Sequence, residues 1–275
     1  KKAGTIRGHL SSIKDYLRTC HGIRLTNEDL KDYIKFPKDG KQLREPMELG
    51  TIKLVLTHAD PIRRALYYVL LTSGMRLGEG LSLKRSNFNT EVRPVKIHLR
   101  AEQTKTNEAR DTYISEEAWE RVQPIFDKTK DGEYLFHDCT EVREAVTAES
   151  RYFIRLRRRI AFIFHHKEKC EEFPDGTGIL KRYENSVRYQ VQIHAMRAYF
   201  MTKASLMHGS DYAHAMAGHH TYLDQYIRIP PKQQVKMYLD LEKDLLLEST
   251  KVHSEEFHDK EVSELREEQE QLKAQ

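Results

Sequence analysis

The sequence predicts a mainly α-helical protein with one small antiparallel β-sheet. Apolar side chains recur at three- and four-residue spacing through most of its 275 residues. Alternation of apolar and polar residues is confined to two short stretches, VKIHLR at 95–100 and RDTYI at 110–114. Charged residues reach 32% against 39% hydrophobic, so the helices should carry wide solvated faces.

Taken in order, Ile6, Leu10, Ile13, Tyr16 and Leu17 set a helix over 6–20. Thr26 or Asn27 then caps a second, short helix. FPKDGKQLREPM gathers Pro, Gly and charge and reads as an interdomain linker near 36–47. Helices are expected over 48–58, 61–72 and 76–83, the second strongly apolar. AEQTKTNEA joins the two strands as a hairpin-type connection, and 116–126 is a helix. Residues 140–168 are mostly helical, with Phe153, Leu156, Ile160 and Ile163 as the buried stripe. The opposite face takes the arginines of RYFIRLRRR. Pro174, Gly176 and Gly178 make 171–188 a loop or short hairpin. Helices follow at 193–206, 211–217 and 231–247, and 251–275 forms an acidic helical tail.

Several classes are disfavoured. No run of 18 apolar residues occurs, and KKAGTIRGHL is not a secretory leader, so no membrane association is expected. Cys20, Cys139 and Cys170 are too few and scattered for a disulfide framework, which suits a cytoplasmic setting. His165, His166 and Cys170 lack a fourth ligand at metal-site spacing, and Glu171-Glu172 stand alone. There is no Walker or GxGxxG motif, so no metal and no nucleotide cofactor is expected.

The net charge of +4 is unevenly placed. Residues 251–275 hold eight acidic groups against four basic ones, and the first 47 hold 11 basic against six acidic. A basic body with an acidic tail suits a polyanion, although solvated helix faces give the same pattern. Arg151, Arg155, Arg157, Arg158 and Arg159 are the candidate phosphate contacts.

Four places suit phosphate chemistry. Arg76, in the apolar stretch TSGMRLGE, needs an anionic partner, and Glu79 at i,i+3 is one. His194 and Arg197 share a helix face, with Lys203 farther along. Gly218 allows a tight helix end before His219 and His220, near Tyr212, Tyr222 and Tyr226. Lys105, in QTKT, sits where a groove-reaching acid would. Each has an ordinary reading as an ion pair, a solvated face, packed aromatics or an exposed lysine.

In this order, the segments TSGMRLGEGLSL, QTKTNEARDTYIS, IHAMRAYFMTK and MAGHHTYLDQYIR resemble the catalytic domain of tyrosine recombinases, the phage-integrase and Xer-like enzymes. They span 72–228, and LREPMELGTIK and HGSDYAHAMAGHHTYLDQYIR are most similar to archaeal integrases. The resemblance implies a catalytic domain over 48–250 and makes 1–35 the end of a helical core-binding domain, shortened relative to a complete one. It implies a site-specific recombinase that acts on double-stranded DNA, without metal or ATP, as a homo-tetramer on DNA and a monomer when free. Arg76 and Arg197 would clamp the scissile phosphate. His194 would support proton transfer, Lys105 would protonate the leaving 5′ oxygen, and His219 would bond the phosphate. Tyr226 would attack to give a 3′-phosphotyrosyl link, and Glu79 would hold Arg76.

Two departures are visible. The family places its tyrosine about nine residues after the Gly-His histidine, whereas Tyr226 is seven after His219 and Tyr222 three. Tyr-Ile-Arg228 mirrors the family ending and favours Tyr226. His220 is positioned to share the role of His219. The alternatives are a type IB topoisomerase-like nicking-closing enzyme and a DNA-binding protein with a decayed site.

Overall fold

The computed structural model describes residues 3–26, 28–30, 34, 47–168, 178–183, 188–218 and 229–247. The chain divides into two compact units, 1–45 and 46–275. In the first, α1 (Ala3–His21) follows the expected periodicity. Thr26 caps the turn that follows: the Asp29 N–H donates to Thr26 Oγ1 at 3.1 Å, and the Thr26 N–H donates to Asp29 Oδ2 at 2.8 Å. Among the described residues no helix is long and apolar enough to cross a membrane.

The second unit begins with α2 (Leu49–His58) and α3 (Pro61–Ser73). Helix α3 is sharply bounded. Asp60 accepts the Arg63 N–H, Pro61 takes the first turn, and Gly74 ends the helix in the left-handed region at φ 66°. A side chain at Gly74 is excluded twice, because an added Cβ would also lie 2.3 Å from the Phe200 ring. Helix α4 (Leu77–Leu81) starts three residues later.

The sheet has three strands in the order β1 (Phe88–Asn89), β2 (Val95–Leu99), β3 (Arg110–Ile114), all antiparallel. Val95 pairs with Ile114 and Leu99 with Arg110. Val95, Ile97 and Leu99 face the core, as alternation requires. Strand β1 was not expected, because two residues are too few to display alternation. Thr112 Oγ1 donates to the Ser73 carbonyl at 3.0 Å and so seats β3 against the end of α3.

Helices α5 (Glu116–Lys128), α6 (Val142–Glu168), α7 (Ile193–His208), α8 (Ser210–Ala217) and α9 (Pro231–Leu245) complete the unit. Between α6 and α7 an antiparallel bridge, Arg182 to Tyr189, makes the described part of the expected loop a hairpin. One core joins α3, the sheet, α6, α7 and α9, with Leu66, Leu70, Ile97, Phe200 and Tyr238 fully enclosed. Tyr238 Oη donates to the Thr72 carbonyl at 2.8 Å, which anchors α9 beside the α3–α4 turn.

Candidate active site

Arg76 caps α4 from an extended backbone, and Glu79, three residues on, reaches back to it. Glu79 Oε2 accepts the Arg76 N–H at 2.7 Å, and Oε1 accepts Arg76 Nη1 at 2.9 Å. The Glu79 side chain is only 2% exposed, so its charge needs compensation. A second arginine supplies it. Arg110, the first residue of β3, donates Nη2 to Oε2 at 2.7 Å and Nη1 to Oε1 at 3.2 Å. Burial alone would raise the Glu79 carboxyl; the Arg110 fork and then the Arg76 donors more than reverse this and hold it below the usual value.

Arg197 lies one turn into α7 and is nearly enclosed. Its Nη1 donates to the Gly74 carbonyl, while its Nη2 is buried with no hydrogen-bond partner. Burial first, and the neighbouring Arg76 charge second, draw the Arg197 guanidinium down to about 10, so it stays cationic at neutral pH. A buried cationic N–H without an acceptor is costly, and an anion removes that cost. Arg76 Nη2 is also loosely held, donating to the Gly218 carbonyl at 3.4 Å.

His194, one turn before Arg197, is exposed. Together with Arg197, Arg188 and Tyr189 it lines a cleft of about 390 Å³ floored by Leu70 and Phe153. Lys105 does not line this cleft. It is exposed in the β2–β3 connection and lines a groove of about 500 Å³ with Lys84, Ser86 and Arg100. Thr104 pins its turn, donating to the Glu108 carbonyl at 2.9 Å and accepting the Glu108 N–H at 3.0 Å. The two spaces flank α4, with Leu77 lining the first and Gly78 the second.

The structure thus brings Arg76, Glu79 and Arg197 together with His194 at the rim, and places Lys105 across α4. His219, His220, Tyr222 and Tyr226 lie outside the described residues, as does the acidic tail. Tyr212 is enclosed and burial raises its hydroxyl, which removes it as a nucleophile. Among the described residues no group of His, Cys, Asp and Glu could hold a metal ion.

One expectation needs correction. Arg157 is not on the exposed face of α6. It is buried, donates Nη1 to the Val191 carbonyl at 2.8 Å, and stacks 4.1 Å from the centre of the Tyr189 ring. Four residues after Phe153 and three before Ile160, it falls on the apolar stripe. Arg151, Arg155 and Arg158 are exposed; Arg159 is exposed as well but donates to the His58 carbonyl. The Nζ of Lys203, farther along α7, lies 5.8 Å from the centre of the Tyr199 ring.

Arg110 was missed. Strand alternation puts it on the same face as Thr112 and Ile114, and an arginine at the edge of a core face signals a carboxylate partner.

The model of the phage integrase family matches residues 24–219. Among solved structures, the Tn1549 transposon integrase in complex with transposon right end DNA is 16% identical with a TM-score of 0.54, over 87% of this chain and 79% of that one. The integrase from mycobacterium phage Brujita is 17% identical with a TM-score of 0.50, over 90% and 73%. XerA recombinase is 17% identical with a TM-score of 0.46, over 84% and 82%. No curated protein matches by sequence. The Tn1549 likeness shows a shared fold, mainly helical with a small sheet. With the family model spanning most of its length, this chain belongs to the phage integrase family, the tyrosine-type site-specific recombinases.

Proposed function

We propose that the chain cleaves and rejoins duplex DNA at a specific site through a 3′-phosphotyrosyl intermediate, with Tyr226 as nucleophile. One observation carries the reading: the buried, unpartnered Nη2 of Arg197 stands in a cluster with the loosely held Nη2 of Arg76. A phosphate bridging the two would satisfy both.

The phosphoryl transition state gathers charge on its equatorial oxygens, and fixed cationic donors stabilise it. Arg76 and Arg197 act there, and His219 bonds the same phosphate. The Tyr226 hydroxyl oxygen attacks phosphorus, His194 supports departure of its proton, and the bond to the 5′ oxygen breaks. Lys105 gives that oxygen a proton. The new phosphodiester keeps the energy of the old one, so a 5′-hydroxyl can reverse the step without ATP.

Duplex DNA is the partner, a role supported by the DNA-bound Tn1549 relative. Residues 48–250 are assigned to the catalytic domain, 36–47 to the linker and 1–35 to a helical core-binding domain, a reading that the two compact units support. Recombination joins two duplexes, so a homo-tetramer is the working assembly.

The test is covalent trapping on nicked suicide duplexes, built on the sequence that the chain enriches from a randomised DNA library. A denaturation-resistant adduct lost in Tyr226→Phe and kept in Tyr222→Phe is the expected result. Loss only in Tyr222→Phe moves the nucleophile; no adduct at all leaves a DNA-binding protein.

A further inference from the structure

Glu79 poses an electrostatic problem for the site. A buried carboxylate bonded to Arg76 fixes that arginine in place, but it also cancels the charge that a phosphate should meet. Paired with Glu79 alone, Arg76 would present no net charge.

Arg110 changes that balance. Its guanidinium covers both Glu79 oxygens, and its side chain is only 10% exposed. Arg76 and Arg110 then share one carboxylate, and with Arg197 beside them the cluster of three arginines keeps a net charge of +2, because Arg110 answers Glu79. Arg110 also reaches the far side of the site. Its Nε donates to the Met216 carbonyl at 3.3 Å, in the last turn of α8. Its guanidinium lies under Gly218, where an added Cβ would come within 2.7 Å of Nη1. Gly218 is left-handed at φ 65°, and its carbonyl accepts the Arg76 bond. One side chain therefore touches the carboxylate that orients Arg76 and the helix end that faces it.

We propose that Arg110 is a positioning residue of the strand-transfer reaction: it neutralises Glu79 so that Arg76 keeps its charge for the scissile phosphate, and it seats the end of α8 against the cluster. The inference rests on the recombinase reading above.

The test compares single-turnover adduct formation at saturating suicide duplex with the affinity for the same duplex. Arg110→Met should slow adduct formation about 100-fold with Kd changed less than about threefold. Arg110→Lys, which restores a charge without the fork, should recover about tenfold of that loss. The decisive variant is the double one. With Glu79 made neutral there is nothing for Arg110 to answer, so Arg110→Met with Glu79→Gln should form adduct at least as fast as Arg110→Met alone. Two losses that multiply, as a merely structural role would give, overturn the inference. So does an Arg110→Met rate equal to that of the unaltered chain. Should Arg110→Met fail to melt cooperatively, Arg110→Lys with and without Glu79→Gln carries the same comparison. An unaltered chain that forms no adduct overturns the recombinase reading and this inference together; loss confined to the variants separates the two.

Discussion

Arg197 donates to the carbonyl of Gly74, a residue 123 positions earlier in the chain. The bond joins the second turn of α7 to the left-handed residue that ends α3, two residues before Arg76. The guanidinium is divided: one nitrogen bonds the scaffold, and the other is buried with no partner, which on the proposed function is where the phosphate binds.

Arg197→Lys cannot make both bonds, because an ammonium lacks the planar fork. Adduct formation should fall about 100-fold or more, with a much smaller change in DNA affinity. Single-turnover trapping beside a binding isotherm checks this; equal losses in both would mean that Arg197 only binds.

Gly74→Ala meets two penalties, a left-handed φ of 66° and a Cβ 2.3 Å from the enclosed Phe200 ring. A loss of about 3 kcal/mol in urea unfolding is expected. Gly78→Ala is the control. Its nearest atom is Val146 Cγ2 at 3.8 Å and its φ is ordinary, so it should be neutral or stabilising by up to about 1 kcal/mol.

Two buried carboxylates should give opposite pH responses. Glu79 is held below the usual glutamate value of 4.5, so its stabilisation is present above that pH and lost as pH falls through the folded value. Glu149, bonded by Tyr67 and Arg63, is raised above 4.5, chiefly by burial. Its contribution is complete below 4.5 and declines as pH rises through the folded value. Urea midpoints from pH 3 to 8 should show the deficit of Glu79→Gln growing with pH, and the unaltered chain losing ground to Glu149→Gln over the same range. Parallel curves would sink the assignment.

The arginines of α6 should separate into two behaviours. Arg155→Gln and Arg158→Gln, at exposed positions, should each lower the slope of log affinity against log salt by about one and leave stability alone. Arg157→Gln strands the Val191 carbonyl and should cost about 2 kcal/mol with the salt slope unchanged. An Arg157→Gln variant of normal stability and reduced slope would return it to the DNA surface.

What the sequence makes legible is what is local. Helix periods, the two alternating stretches and the Thr26 cap are set by residues within a turn of one another, and so is the Arg76–Glu79 pair. The Arg110–Glu79 fork spans 31 residues and the Arg197–Gly74 bond 123, so neither has a spacing to read. Arg157 was open to correction from sequence alone: counting the turn forward from Phe153 places it inward, whereas reading RYFIRLRRR as one charged cluster places it outward. The two-residue strand β1 gave no pattern to detect.

Gly74, Met216 and Gly218 contribute only peptide carbonyls to the arginine cluster. Any amino acid carries that oxygen, so the chemical identity of most neighbours is immaterial to the grip. A saturation scan around the site should therefore be sharply two-valued: the two glycines intolerant because of backbone shape, Glu79 and the arginines intolerant because of charge, and Met216 replaceable by other apolar residues of its size.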